Sequence, residues 1–234
     1  MIKLAPSISI IIPTYNEASN IAKILKRTKK LADIYSIEII VVDGGSKDGT
    51  PDIAKKIGVN KLIKLKQRRG KGIDFWEGVQ AAKGDYVIQI DADMQFDPQQ
   101  IPLFIKAFNK GADVVIARRE NYKESPFWRT IGNKSLSLLT SIVIMYRIHD
   151  VLAGFKGARR EVMLSLKLEE KGFMYESELV IKTIRMGYKL AQIPVRYHRR
   201  VHENSKVNLI KDGLGYLRSI LYFGFIIPPP PKLS

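Results

Sequence analysis

The 234-residue chain contains no cysteine. Disulfides and thiolate metal sites are therefore excluded, and a reducing compartment fits. Histidine is scarce, and His149, His198 and His202 are assigned no metal role. No apolar run reaches the roughly 18–20 residues that span a bilayer. The first strand begins so close to Met1 that no signal peptide is expected before it. No nucleic-acid-binding motif is present, so nucleic acid is not expected as a partner. The glycine-rich stretches lack the Gly-Lys-Ser/Thr ending of a Walker A loop. Neither an internal repeat nor an interdomain linker is visible. The expected organisation is one domain over residues 1–227, followed by a proline-rich tail at 228–234.

Positive charge is in excess. Lys and Arg number 39 against 23 Asp and Glu, a formal net charge of +16. A balance of that size implies an anionic partner, such as anionic lipid or a phosphorylated substrate.

The organising stretch is Ile-Gln-Ile-Asp-Ala-Asp-Met-Gln-Phe-Asp-Pro at 88–98. Residues 86–90 read as a buried parallel strand. The strand ends in Asp91 and Asp93, which share a face if the backbone stays extended and converge if it turns after Asp91. Open α/β sheets bind ligands at the carboxyl ends of their strands. Two carboxylates and the amide oxygen of Gln95 are hard oxygen ligands suited to Mg²⁺ or Mn²⁺. Alone, an Asp-x-Asp is weak, and a capped strand-to-helix turn would be the better account of it.

Strands are predicted at 8–12, 37–42, 86–90, 113–117 and 188–195, with an edge strand near 61–66. Helices are predicted near 20–31, capped by Ser19 or Asn20, and at 73–83, 98–110, 126–148, 159–166, 175–186 and 208–223. Residues 150–157 read as a strand with a loop. The alternation in the first half argues for a doubly wound, mostly parallel sheet. The basic glycine loop at 67–72 is either a phosphate contact or a solvated turn.

Six motifs then fall in order: Pro-Thr-Tyr-Asn-Glu at 13–17, Asp-Gly-Gly-Ser-Lys-Asp-Gly-Thr at 43–50, Arg-Gly-Lys-Gly at 69–72, Asp-Ala-Asp-Met-Gln at 91–95, Gly-Phe-Lys at 154–156 and Arg-Val-His-Glu-Asn-Ser-Lys at 200–206. Together they make the chain resemble the inverting glycosyltransferases of family 2 with the GT-A fold, within them most nearly the dolichyl-phosphate mannose synthases. The resemblance implies a Rossmann-like, mostly parallel sheet flanked by helices, with amphipathic interface helices towards the C-terminus. It places Pro13, Tyr15, Glu17, Asp43, Asp91, Ala92 and Asp93 around the donor nucleotide. It gives the metal to Asp93 and Gln95, with Asp91 beside it. Arg119 matches the family's catalytic arginine after the fifth strand, Arg200 and Lys206 would contact phosphate near the reacting carbon, and Arg129, Ser205 and Lys206 the acceptor phosphate. Two positions depart from the family: Asn204 replaces a glycine, and Glu120 replaces a tyrosine.

A nucleoside diphosphate leaving group needs a metal and basic side chains. A hydroxyl acceptor also needs a carboxylate base, and Glu176 and Glu178 are the candidates, whereas a lipid phosphate needs only cations to hold it. Family resemblance carries Glu178 over more securely than Glu176. The expected reaction is hexose transfer, with mannose from GDP-mannose favoured, to a polyprenyl (dolichyl) phosphate. The alternatives are a UDP-sugar with a hydroxyl acceptor, and a non-catalytic basic module on anionic membrane or RNA. Residues 136–145 and 208–223 are apolar enough to enter a headgroup region. Peripheral binding to the cytoplasmic side of an anionic membrane is therefore expected, or anchoring through a partner.

Overall fold

The computed structural model describes residues 6–120, 127–199 and 209–228. Its strands are β1 (Ile8–Thr14), β2 (Ile37–Asp43), β3 (Lys61–Lys64), β4 (Tyr86–Gln89), β5 (Val114–Arg119), β6 (Lys156–Arg159) and β7 (Leu190–Val195). Its helices are α1 (Ala18–Lys29), α2 (Thr50–Ile57), α3 (Lys71–Ala81), α4 (Ile101–Asn109), α5 (Phe127–Ile144), α6 (Arg160–Ser165), α7 (Tyr175–Arg185) and α8 (Leu209–Ile226).

One sheet of seven strands runs in the order β3-β2-β1-β4-β6-β5-β7. All neighbours are parallel except β6, which is antiparallel to both β4 and β5. The β-branched runs of β1 and β2 are buried, as a strand covered on both faces requires. One apolar layer lies under α1 and α4, around Ile10, Ile12, Ile24, Phe104 and Phe155. The other lies under α3, α5, α7 and α8, around Ile11, Val42, Phe75, Tyr175 and Phe223. The register sets Thr14 beside Asp43 and Ile11 beside Gln89. The carboxyl ends of β1, β2 and β4 therefore open on one edge.

Two expectations are corrected here. The cap of α1 is neither Ser19 nor Asn20, which lie inside the helix. Its first N–H groups are met from the loop after β2, where Thr50 Oγ1 accepts from Glu17 N at 2.8 Å and Asp48 Oδ2 from Ala18 N at 2.9 Å. The strand expected within 150–157 begins only at Lys156. It carries no β-branched residue and is admitted by Gly157, where a Cβ would stand 2.9 Å from Ile88 Cγ1. The stretch 126–148, expected as one helix or two, holds the single 18-residue helix α5. Among the described residues no helix is long and apolar enough to cross a membrane.

Candidate active site

The chain after β4 turns sharply instead of staying extended. Met94 has φ 61°, a left-handed conformation that costs a non-glycine residue about 1 kcal/mol or more. The turn is closed by Gln95 N donating to Asp93 Oδ1 at 3.1 Å. The side chain of Gln95 donates from Nε2 to the Tyr197 hydroxyl, which orients its amide oxygen away from that bond. Asp93 and Ala92 are buried.

Asp91 is the hub of a charged network. Lys71 Nζ lies 2.8 Å from Asp91 Oδ1 and 2.9 Å from Oδ2, and reaches Glu176 Oε1 at 3.1 Å. Lys156, itself buried, stands 3.3 Å from the same oxygen of Glu176. Gln89 joins Asp91 to Tyr175, accepting from the Tyr175 hydroxyl at 2.6 Å and donating to Asp91 Oδ1 at 3.2 Å. Tyr216 on α8 donates to Glu176 Oε2 at 3.3 Å. Burial disfavours the charge on Lys71, but Asp91 and Glu176 outweigh it and raise its pKa well above the ordinary value. Lys156 is lowered instead: burial dominates there, Glu176 offsets it only in part, and Lys71 repels.

Three motif glycines make this network possible by size alone. A Cβ at Gly154 would lie 2.0 Å from Asp91 Oδ2. Cβ atoms at Gly70 and Gly72 would each lie 2.2 Å from a backbone carbonyl oxygen, of Lys171 and Glu170 respectively. The basic glycine loop is thus packed against residues 170–172, and Gly72 N donates to Lys171 O at 2.9 Å. Gln67, Arg68 and Arg69 stay exposed, while Gly72 is buried and Lys71 points into the site. Sequence reasoning had named Lys71 only as part of a loop. The signal that could have found it was the pair of flanking glycines, which mark a close backbone approach.

Glu176 and Glu178 part company. The network takes in Glu176, the residue the resemblance carried over less securely. Glu178 is not brought to it. Its Oε1 and Oε2 accept from Glu169 N at 2.7 Å and Glu170 N at 2.8 Å, and Lys182 lies 2.7 Å away. Burial raises its pKa despite these partners. It fastens the loop before α7.

Arg119, at the end of β5, is gripped by Asp150, with Nε to Oδ2 at 2.7 Å and Nη2 to Oδ1 at 2.8 Å. Asn133 on α5 donates to the same carboxylate at 2.9 Å. Burial works to raise Asp150, yet Arg119 and these hydrogen bonds hold it below the usual carboxylate range. A cavity of about 460 Å³ beside this pair is lined by Arg118, Arg119, Glu120, Lys134 and His149. Next to it, sharing Lys134 and His149, is one of about 570 Å³ walled by Leu138, Ile142 and Met145.

On the other side, Pro13, Tyr15, Glu17 and Asp43 stand at the ends of β1 and β2. Asp43 Oδ2 accepts from Ser46 N at 2.9 Å and Gly45 N at 3.2 Å. Arg68 lies over the Tyr15 ring at 4.6 Å. Arg200, Ser205 and Lys206 lie outside the described residues, as does the side chain of Arg129.

A strand-end carboxylate pair on a mostly parallel sheet, with cations beside it, lies where open α/β sheets bind their ligands. Residues 9–166 match the family described as Glycosyl transferase family 2, and the chain belongs to that family. It is a glycosyltransferase, so the non-catalytic reading falls away. The dolichol-phosphate mannosyltransferase of Pyrococcus furiosus is 31% identical over 225 residues, covering 91% of this chain. The chain spans only 62% of that protein's length. The dolichyl-phosphate hexose transferase of Haloferax volcanii is 28% identical over 216 residues, covering 92% of each chain. The fold is GT-A. It is shared with the crystal structure of glucosyl-3-phosphoglycerate synthase from Mycobacterium tuberculosis in complex with Mn²⁺, UDP and glucosyl-3-phosphoglycerate. That match has a TM-score of 0.75 and 24% identity, covering 99% of this chain and 84% of the other.

Proposed function

We propose that this glycosyltransferase moves a hexose, mannose from GDP-mannose in our reading, onto a polyprenyl phosphate at a membrane surface, with inversion at the anomeric carbon. One observation carries the choice of acceptor. The carboxylate of Glu176 is held by Lys71, Lys156 and Tyr216, and that of Glu178 by two backbone N–H groups and Lys182. A carboxylate so occupied is a poor proton acceptor for a hydroxyl. A phosphate oxygen arrives already anionic. It attacks the anomeric carbon, the bond to the nucleoside diphosphate breaks, and no proton has to move. Arg119, fixed by Asp150, and the basic cavity beside it suit an incoming anion. The names of the Pyrococcus and Haloferax relatives agree with this acceptor.

Asp93 and Gln95 would hold a divalent cation, Mg²⁺ or Mn²⁺, with Asp91 beside it. Among the described residues no group of three or more His, Cys, Asp or Glu side chains gathers for a metal. A sparse oxygen set is nevertheless what such an ion uses when diphosphate and water complete its shell. It would supply positive charge to the leaving diphosphate.

A lipid acceptor requires contact with a bilayer. α5 and α8 pack together, so that a Cβ on Gly224 would stand 2.1 Å from Val143 Cγ1. They leave Phe127, Trp128, Leu138 and Ile142 exposed on one helix, with Met145 just past its end, and Leu214, Leu217, Leu221 and Phe225 on the other. An apolar surface of this kind beside an excess of cations suits peripheral binding to anionic lipid.

The test is a transfer assay with a short polyprenyl phosphate and a panel of GDP- and UDP-sugars, with and without EDTA. We expect metal-dependent transfer from GDP-mannose to the phosphate. Transfer to hydroxyl acceptors alone would overturn the reading. Co-sedimentation with anionic vesicles tests the membrane part. Binding should be lost in high salt and weakened by Leu217→Glu with Leu221→Glu. Wild-type protein left in the supernatant at low salt would refute peripheral binding.

A further inference from the structure

The acceptor side holds a titratable group that the reaction above does not use. His149 follows α5 and lines both cavities beside Arg119. In the first cavity its charged neighbours are Arg118, Arg119, Glu120 and Lys134. In the second they are Lys134 and Arg147, with the Tyr146 hydroxyl as a further titratable group. Asp150, the next residue, is spent on Arg119. His149 is half-buried, so a ligand in these cavities has access to its ring.

A chain of hydrogen bonds decides which ring nitrogen carries the hydrogen. The carbonyl oxygen of Arg147 can only accept, and Gln192 Nε2 on β7 donates to it at 2.6 Å. The amide oxygen of Gln192 is therefore the atom that meets His149, at 2.8 Å from its backbone N and 3.2 Å from Nδ1. An amide oxygen cannot donate, so Nδ1 holds the hydrogen of that contact. In the neutral ring Nε2 is then the basic nitrogen. It has no partner among the described residues and is left for a ligand in the cavities that His149 lines.

A phosphate monoester brings the matching group. One of its charges is permanent near neutral pH, but its second proton is lost only at about pH 6. Imidazole exchanges a proton in the same range. The dianion attacks without proton transfer. A monoanion attacking with its proton in place would give an uncharged and strongly acidic diester. We propose that His149 is a catalytic residue towards the acceptor, and that its Nε2 takes the remaining proton of the monoanionic phosphate. The O–H bond of the phosphate breaks, an N–H bond forms at Nε2, and the imidazolium stays beside the dianion in a charge-assisted hydrogen bond. An oxygen of the dianion attacks the anomeric carbon as the nucleoside diphosphate leaves. The diester departs with one charge, and the imidazolium gives its proton to water. Arg118, Arg119 and Lys134 favour the dianion, whereas Glu120 opposes it. This assignment rests on the phosphate-acceptor reading above and deepens it.

His149→Asn isolates this role, because its amide keeps a donor for Gln192 where Nδ1 stood and removes Nε2. The measurement is kcat/KM for a short polyprenyl phosphate from about pH 5 to pH 9 on the full chain, with GDP affinity taken by calorimetry. The wild type should give a bell. At the acid end ring and phosphate both keep their protons, and at the alkaline end both have lost them and the attraction of the imidazolium is gone. The variant should lack the alkaline limb and rise to a plateau. It should lie at least about tenfold below the wild type at the top of the bell, the loss expected for a hydrogen bond to a charged group. The two should converge at the alkaline end, with GDP bound within about twofold throughout. If His149→Asn does not fold, His149→Gln, whose amide cannot take the proton, should lose the same limb. Curves of one shape offset by a constant factor, or curves that coincide, would overturn the role of His149 and leave the phosphate acceptor standing. No transfer to the phosphate by the wild type at any pH would overturn both.

Discussion

The two sides of the site treat their carboxylates in opposite ways. Towards β1, β2 and α3, Asp43 and Asp74 each keep a buried oxygen with no donor among the described residues. Towards α5, α7 and α8, the carboxylates of Asp150, Glu176 and Glu178 are all engaged by cations, hydroxyls or N–H groups. A side whose acceptors are used up in orienting lysines and arginines suits a ligand that brings negative charge. The division follows from the fold, since the first side is built from strand-end loops and the second from helices laid across the sheet.

The proposed metal position lies at the boundary, and its loss should be the harshest way to break the contrast. Asp93→Ala should fold normally and lose at least about a hundredfold in transfer, and EDTA should do the same to the wild type. Normal turnover in either case removes Asp93 from the site. Next in size is Lys71→Met, which leaves Asp91 and Glu176 facing each other with one cation fewer. Removing one partner of a buried ion pair costs about 3 kcal/mol or more. For a chain of this size that lowers the melting temperature by roughly 10 °C, and thermal denaturation measures it. An unchanged melting temperature would mean that the network does not hold the two sides together.

Glu176→Gln sharpens the contrast instead. If the second side only orients cations, transfer should stay within about fivefold of wild type. A collapse of turnover with donor affinity intact would make Glu176 a proton acceptor and return the hydroxyl reading. The smallest effect is one of pH. The carboxyl of Asp74 is raised, chiefly by burial, from 3.8 to about 7 in the folded protein. The folded state therefore holds that proton more tightly than the unfolded chain, and stability declines as pH rises between those values. Asp43, Arg68, Arg69 and Glu77 are the charged groups that set this shift. Asp74→Asn should flatten the decline, which melting curves from pH 4 to 8 would show. Parallel curves for the two proteins would deny the shift.

What the sequence made legible was whatever local chemistry decides. The β-branched runs of β1 and β2, the Asp-x-Asp after β4 and the order of six motifs were enough for the sheet and the family. What it hid depended on long-range contact. Lys-Gly-Ala-Arg at β6 has no strand propensity and becomes a strand because Gly157 fits against Ile88. Glu176 and Glu178 look equivalent on paper. Two positions apart on a helix, they point about 200° away from each other, so only one can face the site. Asp74 sat unremarked in a helical pattern because its environment comes from Asp43, which lies 31 residues earlier in the chain. The cap of α1 was likewise assigned to the nearest polar residues, when a second loop supplies it.

Gly154 carries a consequence for engineering. Its missing side chain is the space that Asp91 occupies, with a Cβ at 154 only 2.6 Å from Asp91 Cγ. One added methyl would evict the carboxylate from its seat while leaving every ionisable group in the chain unchanged. Position 154 thus acts as a steric dial on an electrostatic centre, and Gly154→Ala can separate what Asp91 does by being charged from what it does by being in place.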